Sequence, residues 1–202
     1  MSLESSKRVV LEVCIASVDD ACEAVAGGAD RLELNVALEL GGLTPTGALL
    51  AEVKQVVAVP VIAMVRPRGA GFVYRQAELR VMLRDAEALL AGGADGIAWG
   101  ALTAEGQVNA VVCQAMVTLA GARTTVFHRA FDLLADPLRA AHELSDLGIR
   151  RIMTSGQSTT ALEGSNQIAQ LQHRLAGRVE VLPAGGVRPD NVGTVLRRTG
   201  CD

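Results

Sequence analysis

The chain has 202 residues, 50% of them hydrophobic and only 2% aromatic, with a formal net charge of −3. That length suits one domain, and the mild acidity gives no electrostatic reason to expect nucleic acid or a membrane surface as partner. Residues 1–8 lack the apolar core of a signal peptide, and the apolar run 56–65, broken by Pro60, falls short of the roughly 20 residues a membrane span needs.

Taken in chain order, seven runs read as short buried strands: Val9–Cys14, Arg31–Asn35, Val61–Arg66, Gly96–Trp99, Thr125–His128, Arg151–Thr154 and Glu180–Ala184. Helical patterns lie between them. Ser17 stands three residues before Asp20 at capping-box spacing. Arg75–Leu90 carries an apolar stripe at Leu79, Met82, Leu83, Ala86, Leu89 and Leu90, and Asp136-Pro137 sets an N-cap before a proline at the first helical position. Short strands alternating with helices predict one parallel α/β domain over residues 9–202, behind a disordered or vector-derived stretch at 1–8.

A repeated phrase sharpens that expectation. Gly27-Gly28-Ala29-Asp30-Arg31-Leu32-Glu33-Leu34 returns as Gly92-Gly93-Ala94-Asp95-Gly96-Ile97-Ala98-Trp99, and more loosely as Leu147-Gly148-Ile149-Arg150-Arg151-Ile152-Met153-Thr154. Each copy ends a helix, turns and enters a strand, which points to a TIM (β/α)8-type barrel. The closing residues Thr199-Gly200-Cys201-Asp202 resemble the opening of another copy, so the chain is expected to end before the eighth strand. Strands one and seven would then leave unpaired edges.

Active sites of such barrels lie at the C-terminal ends of the strands. Strand alternation puts Glu12 with Cys14, and Glu33 with Asn35, on the inward face. Buried carboxylates need partners, and Arg66, Arg68 and Arg129 at neighbouring strand ends are the expected ones, converging on one cavity. Two readings stay open for the glutamates, an internal salt-bridge network or a site for a small anionic ligand, and His128 is either structural or functional. His128 and Asp132 join the glutamates as candidate acid–base groups. Thr154-Ser155-Gly156 and Ala184-Gly185-Gly186 are turns whose N–H groups could cradle a phosphate, with Ser155, Gly185 and Gly186 as contacts; a tight βα turn needs glycine for backbone reasons alone. No lysine stands at a strand end, which argues against Schiff-base chemistry. Cys14, Cys22, Cys113 and Cys201 show no CxxC or zinc spacing and read as reduced thiols of a cytoplasmic protein.

Several motifs in order carry a family resemblance: Leu11-Glu12-Val13-Cys14, Gly28-Ala29-Asp30-Arg31-Leu32-Glu33-Leu34, Gly41-Gly42-Leu43-Thr44-Pro45, Arg66-Pro67-Arg68-Gly69, Phe127-His128-Arg129-Ala130-Phe131-Asp132, Thr154-Ser155-Gly156 and Ala184-Gly185-Gly186-Val187. From about Val9 onward the chain resembles the CutC family, named for copper homeostasis. The resemblance implies a cytoplasmic barrel that binds copper, with thiols ending the first two strands as ligands. Here Cys14 occupies the first position and Asn35 the second, and an asparagine oxygen is a poor substitute for a thiolate toward Cu(I). The expected function is therefore copper homeostasis with Cu(I) at Cys14 and no organic cofactor. The alternative is an isomerase- or aldolase-type enzyme acting on a small phosphorylated or carboxylated substrate. Association into a homo-oligomer through outer helices or mouth loops is also expected.

Overall fold

The computed structural model describes residues 9–175 and 177–201. The expectation for residues 1–8 lies outside them. Seven parallel strands follow one another around a single curled sheet in the order β1 to β7. They are β1 (Glu12–Ile15), β2 (Arg31–Leu34), β3 (Val61–Met64), β4 (Gly96–Trp99), β5 (Thr124–Phe127), β6 (Arg151–Thr154) and β7 (Glu180–Pro183). Helices α1 (Val18–Ala26), α2 (Gly47–Val56), α3 (Gln76–Ala91), α4 (Ala110–Ala120), α5 (Pro137–Asp146), α6 (Ser165–Arg174) and α7 (Val192–Thr199) cover its outside. This is a TIM-like α/β fold. Among the described residues no eighth strand joins β7 to β1, as the repeat predicts.

The predicted signals act where they were read. Ser17 accepts from Asp20 N–H as an N-cap, while the Asp20 carboxylate reaches one residue past it and accepts from Ala16 N–H, a variant of the reciprocal box. Asp136 accepts from Arg139 N–H ahead of Pro137. The first strand begins later than predicted. Val9, Val10 and Leu11 are exposed, because β2 offers a continuous ladder only from Arg31 onward.

Two apolar regions result. The larger lies between strands and helices and holds Leu32, Leu34, Ile97, Trp99, Phe127 and Ile152 with the inward stripes of the helices. The smaller, inside the barrel, contains Ile62, Met64, Ala98, Val126 and Met153 from β3 to β6. The pairing register puts Glu12 beside Arg31, Cys14 beside Glu33, and Arg151 beside Glu180 on that same inner face. The interior is thus apolar on one side and polar where β1, β2, β6 and β7 meet.

Candidate functional site

The lower interior is a ring of charges. Arg31 Nε donates to Glu12, Arg31 Nη2 donates to Glu180 at 3.1 Å, and Arg151 Nε donates to Glu180 at 2.7 Å. Arg151 Nη1 closes the ring as an ion pair with Glu12 at 3.5 Å, beyond good hydrogen-bond geometry. The Glu12 and Arg151 side chains are only 4% and 6% exposed. These residues belong to β1, β2, β6 and β7, so side chains bridge the strands whose backbones form no ladder. Glu12 is buried as predicted, but its partners are Arg31 and Arg151, not Arg66, Arg68 or Arg129. The reason is height: Glu12 opens β1 and sits near the N-terminal end of the barrel, whereas those arginines follow the strands' C-terminal ends.

Glu33 lies one layer higher. Its Oε1 accepts from Asn35 Nδ2 at 2.9 Å and lies 3.7 Å from the Cys14 thiol, while Oε2 is buried without a partner among the described residues. Burial, and then the charge of Glu12, push its pKa up to about 7; the bonds from Asn35 and Cys14 and the charge of Arg151 pull the other way. Cys14 as a residue is exposed along the open edge of β1, yet its sulfur faces Glu33. The Glu33 charge raises the thiol pKa, followed by the surrounding protein and Glu12. This thiol holds its proton at neutral pH, the opposite of an activated cysteine.

His128 is buried between Phe72 and Phe127, with ring centroids 4.9 and 6.3 Å away. Its Nδ1 accepts from Ala130 N–H at 3.1 Å, which leaves the proton of the neutral ring on Nε2, and Nε2 is buried with no partner among the described residues. Burial, then the positive charges of Arg66 and Arg129, lower its pKa to about 3. The ring is therefore neutral across the physiological range and serves as a hydrogen-bond donor, not as a protonated acid. Gly100 makes room for it, since a Cβ there would fall 2.4 Å from the imidazole.

The arginines divide their work instead of converging. Arg66 Nη1 donates to the carbonyls of Leu40, Gly41 and Gly42, Nη2 donates to Ala70, and the guanidinium lies over Phe72 at 5.1 Å. It clasps the loops after β2 and β3 over the mouth, with Nε buried and unpartnered. Arg68 bonds Glu78 of α3 and the carbonyls of Gly69, Gly71 and Val73, and covers Tyr74. Arg129 Nε donates to Asp132 at 3.0 Å and Nη2 to Ser155 Oγ at 2.8 Å. Asp132 also accepts from Thr154 Oγ1 and from the backbone N–H of Ser155 and Gln157, so it is a hub joining the ends of β5 and β6. Gly185 and Gly186 lie beside this hub, with Arg129 packed against Gly185.

Four polar atoms of the upper interior are therefore buried without partners among the described residues: Glu33 Oε2, Asn35 Oδ1, Arg66 Nε and His128 Nε2. Buried polar groups are normally satisfied by protein or bound water. The network that sequence reasoning missed is Arg31–Arg151–Glu180. Its signal was available, because these residues open strands β2, β6 and β7 at inward positions.

The donor set does not by itself form a copper site. Among the described residues no group of three or more His, Cys, Asp or Glu could hold a metal. Among the described residues Cys14 is the one cysteine on the inner face of the strands, Cys22 being exposed on α1 and Cys113 and Cys201 buried elsewhere, while the thioethers of Met64 and Met153 pack in the apolar interior. A tight Cu(I) site needs two or more soft donors. Lys54 is tied to Asp95 at 2.6 Å, at the strands' N-terminal side, away from the mouth. No helix among the described residues is long and apolar enough to cross a membrane.

Fold and interior together define a TIM-type α/β protein with buried polar side chains at the upper end of its strands. The CutC family model matches residues 9–202, and the chain belongs to that family. It is 45% identical over 196 residues to a family protein CutC of Treponema denticola, covering 97% of this chain and 80% of that protein. It is 41% identical to the copper homeostasis protein cutC homolog of Homo sapiens, covering 95% and 70%. A crystal structure of CutC from Streptococcus agalactiae superposes with a TM-score of 0.90 at 28% identity, covering 96% of each chain. An aldolase with a TM-score of 0.68 at 14% identity, covering 98% of this chain and 89% of that one, shares the fold.

Proposed function

We propose that this chain acts in copper homeostasis in the cytoplasm, the process named for its human relative, and that it does so as a barrel holding a small polar ligand above Glu33. The observation that carries this reading is the set of four buried polar atoms, without partners among the described residues, at the ends of β2, β3 and β5. A ligand with a donor for Glu33 and acceptors for Arg66 and His128 would satisfy them. Cys14 supplies a single thiol, so Cu(I) held there takes its second soft donor from the ligand that delivers it. Homo-oligomeric assembly belongs to the same reading, supported by an apolar groove of about 800 Å3 between α3 and α4, where Val111 is exposed.

Two measurements test it. In a Cu(I) titration of the reduced protein against a competing chelator, the expected result is modest binding that Cys14→Ala abolishes. Binding indifferent to Cys14→Ala removes copper from the reading and leaves the ligand barrel. In a thermal-shift screen of small carboxylic acids and sugar phosphates, stabilisation should be lost in Glu33→Gln. No stabilisation by any of them would overturn the ligand barrel itself.

A second reading, catalysis, is favoured by the Glu33 carboxyl near pKa 7, the value a general base needs at neutral pH. In it Glu33 takes a proton from the ligand and returns it at a neighbouring atom, while neutral His128 donates a hydrogen bond from Nε2 to the oxygen that gains charge. Arg129 serves as the anion contact and Asp132 as its positioning residue. Glu12, held by two arginines, is left to structure.

A further inference from the structure

The turn after β7 is polarised in an unusual way. Gly185 and Gly186 both lie in the left-handed region, with φ of +101° and +67°. Their carbonyls are spent on protein, Gly185 accepting from Ala161 N–H at 2.9 Å and Gly186 from Asn191 Nδ2 at 2.8 Å. The N–H groups of Gly185, Gly186 and Val187 make no hydrogen bond to any described residue. Three consecutive donors are thus unspent while the two glycine carbonyls are engaged by protein, an arrangement that favours an anion.

A fixed cation stands beside them. A Cβ built on Gly185 would fall 3.0 Å from both Cζ and Nη1 of Arg129, so any side chain there would push the guanidinium away from the turn. Two of the three guanidinium nitrogens are held by Asp132 and Ser155, and Nη1 has no partner among the described residues. Asp132 is itself fixed by Thr154 and Ser155, and its side chain is only 9% exposed. The guanidinium is therefore preorganised, while its side chain remains 41% exposed and reachable.

We propose that the turn at residues 185–187, together with Arg129, is a phosphoryl-binding site, and that the small ligand of the barrel mouth is a phosphate ester. This rests on the small-ligand reading above and adds its chemical class. Donors spread over three successive residues and a guanidinium suit the three terminal oxygens of a phosphate monoester better than the two coplanar oxygens of a carboxylate, and the phosphate charge of about −1.5 to −2 gains more from Arg129. The site lies beyond the end of β7, beside the ends of β5 and β6. A phosphate held there leaves the rest of the ligand free to reach the unpartnered atoms over Glu33.

The test is a titration of the 15N-labelled full chain with inorganic phosphate, repeated with acetate, in the native protein and in Arg129→Gln. Phosphate is expected to shift the amide signals of Gly185, Gly186 and Val187, with acetate far weaker. Loss of one charge-assisted contact should lower phosphate affinity about tenfold or more in Arg129→Gln. Absence of these shifts, equal response to acetate, or unchanged affinity in Arg129→Gln folded to native stability would each overturn the proposal. Should Arg129→Gln fail to fold, the native titration still decides between shifts at these three amides and none. If phosphate fails while small acids still stabilise the protein through Glu33, only the phosphoryl assignment falls. If neither binds, the ligand barrel falls with it.

Discussion

The lower and upper halves of the barrel interior both bury charged side chains, yet they solve the problem differently. Below, Glu12, Arg31, Arg151 and Glu180 neutralise one another across four strands. Above, Glu33, Asn35, Arg66 and His128 each leave one buried atom unanswered. Desolvating a charge is costly, and mutual pairing is the usual compensation. The ring serves the fold, and the ligand proposed for the upper interior would answer the atoms that the protein leaves open there.

The largest test of that contrast strikes the ring. Glu12→Gln leaves two buried arginines without their shared carboxylate, and breaking a buried pair costs about 3–5 kcal/mol. Urea unfolding should show a loss of that order, and a loss below about 1 kcal/mol would mean that the ring does not bridge the open side of the sheet.

The upper half should betray itself through pH. Glu33 has a folded pKa raised from 4.5 to about 7, so the folded state holds an extra proton between those values and stability falls as pH rises. His128 has a folded pKa lowered from 6.5 to about 3, so the unfolded state holds the extra proton and stability rises with pH over that span. Between 4.5 and 6.5 the two slopes, about 1.4 kcal/mol per pH unit each, oppose one another. Glu33→Gln should therefore uncover stability that climbs with pH in this window, and His128→Phe stability that declines. Melting curves from pH 4.5 to 7 check both, and two variants with parallel profiles would refute the assignment.

A smaller effect is expected at the clasp over the mouth. Arg66→Gln removes charge-assisted bonds to four carbonyls and should cost about 2 kcal/mol. Hydrogen exchange should accelerate in the loops after β2 and β3 while the ring residues stay protected. The smallest effect falls on Cys14, where Cys14→Ala should change stability by less than about 1 kcal/mol, since its thiol makes only a long contact to Glu33. A much larger loss in a urea titration would mark Cys14 as part of the packed interior.

Much of the fold was legible because its signals are local. Ser17 and Asp136 cap the helices they precede, and β4 and β6 span the residues first read as strands. Glu12 and Glu33 were both rightly placed on the inner face, because alternation along a strand is a two-residue rule. Their heights were not legible. The register pairs Glu12 with Arg31 and Cys14 with Glu33, which raises Glu33 one layer above Glu12 and gives the two carboxylates different neighbours. The arginines misled for a similar reason: Arg66 and Arg68 spend their donors on loop carbonyls, and a sequence does not tell where loop carbonyls point.

By itself, then, the sequence determined the alternating α/β plan, the parallel order of seven strands, the inward faces and the family, because periodicity, caps and repeated motifs act over a few residues. Tertiary structure alone decided which carboxylate is locked in an ion-pair ring and which stays protonatable near neutrality. It also decided that His128 is a neutral donor and that Arg129 stands over Gly185. Those properties depend on which distant side chains share one buried interior, and that is set by the curl and register of the sheet.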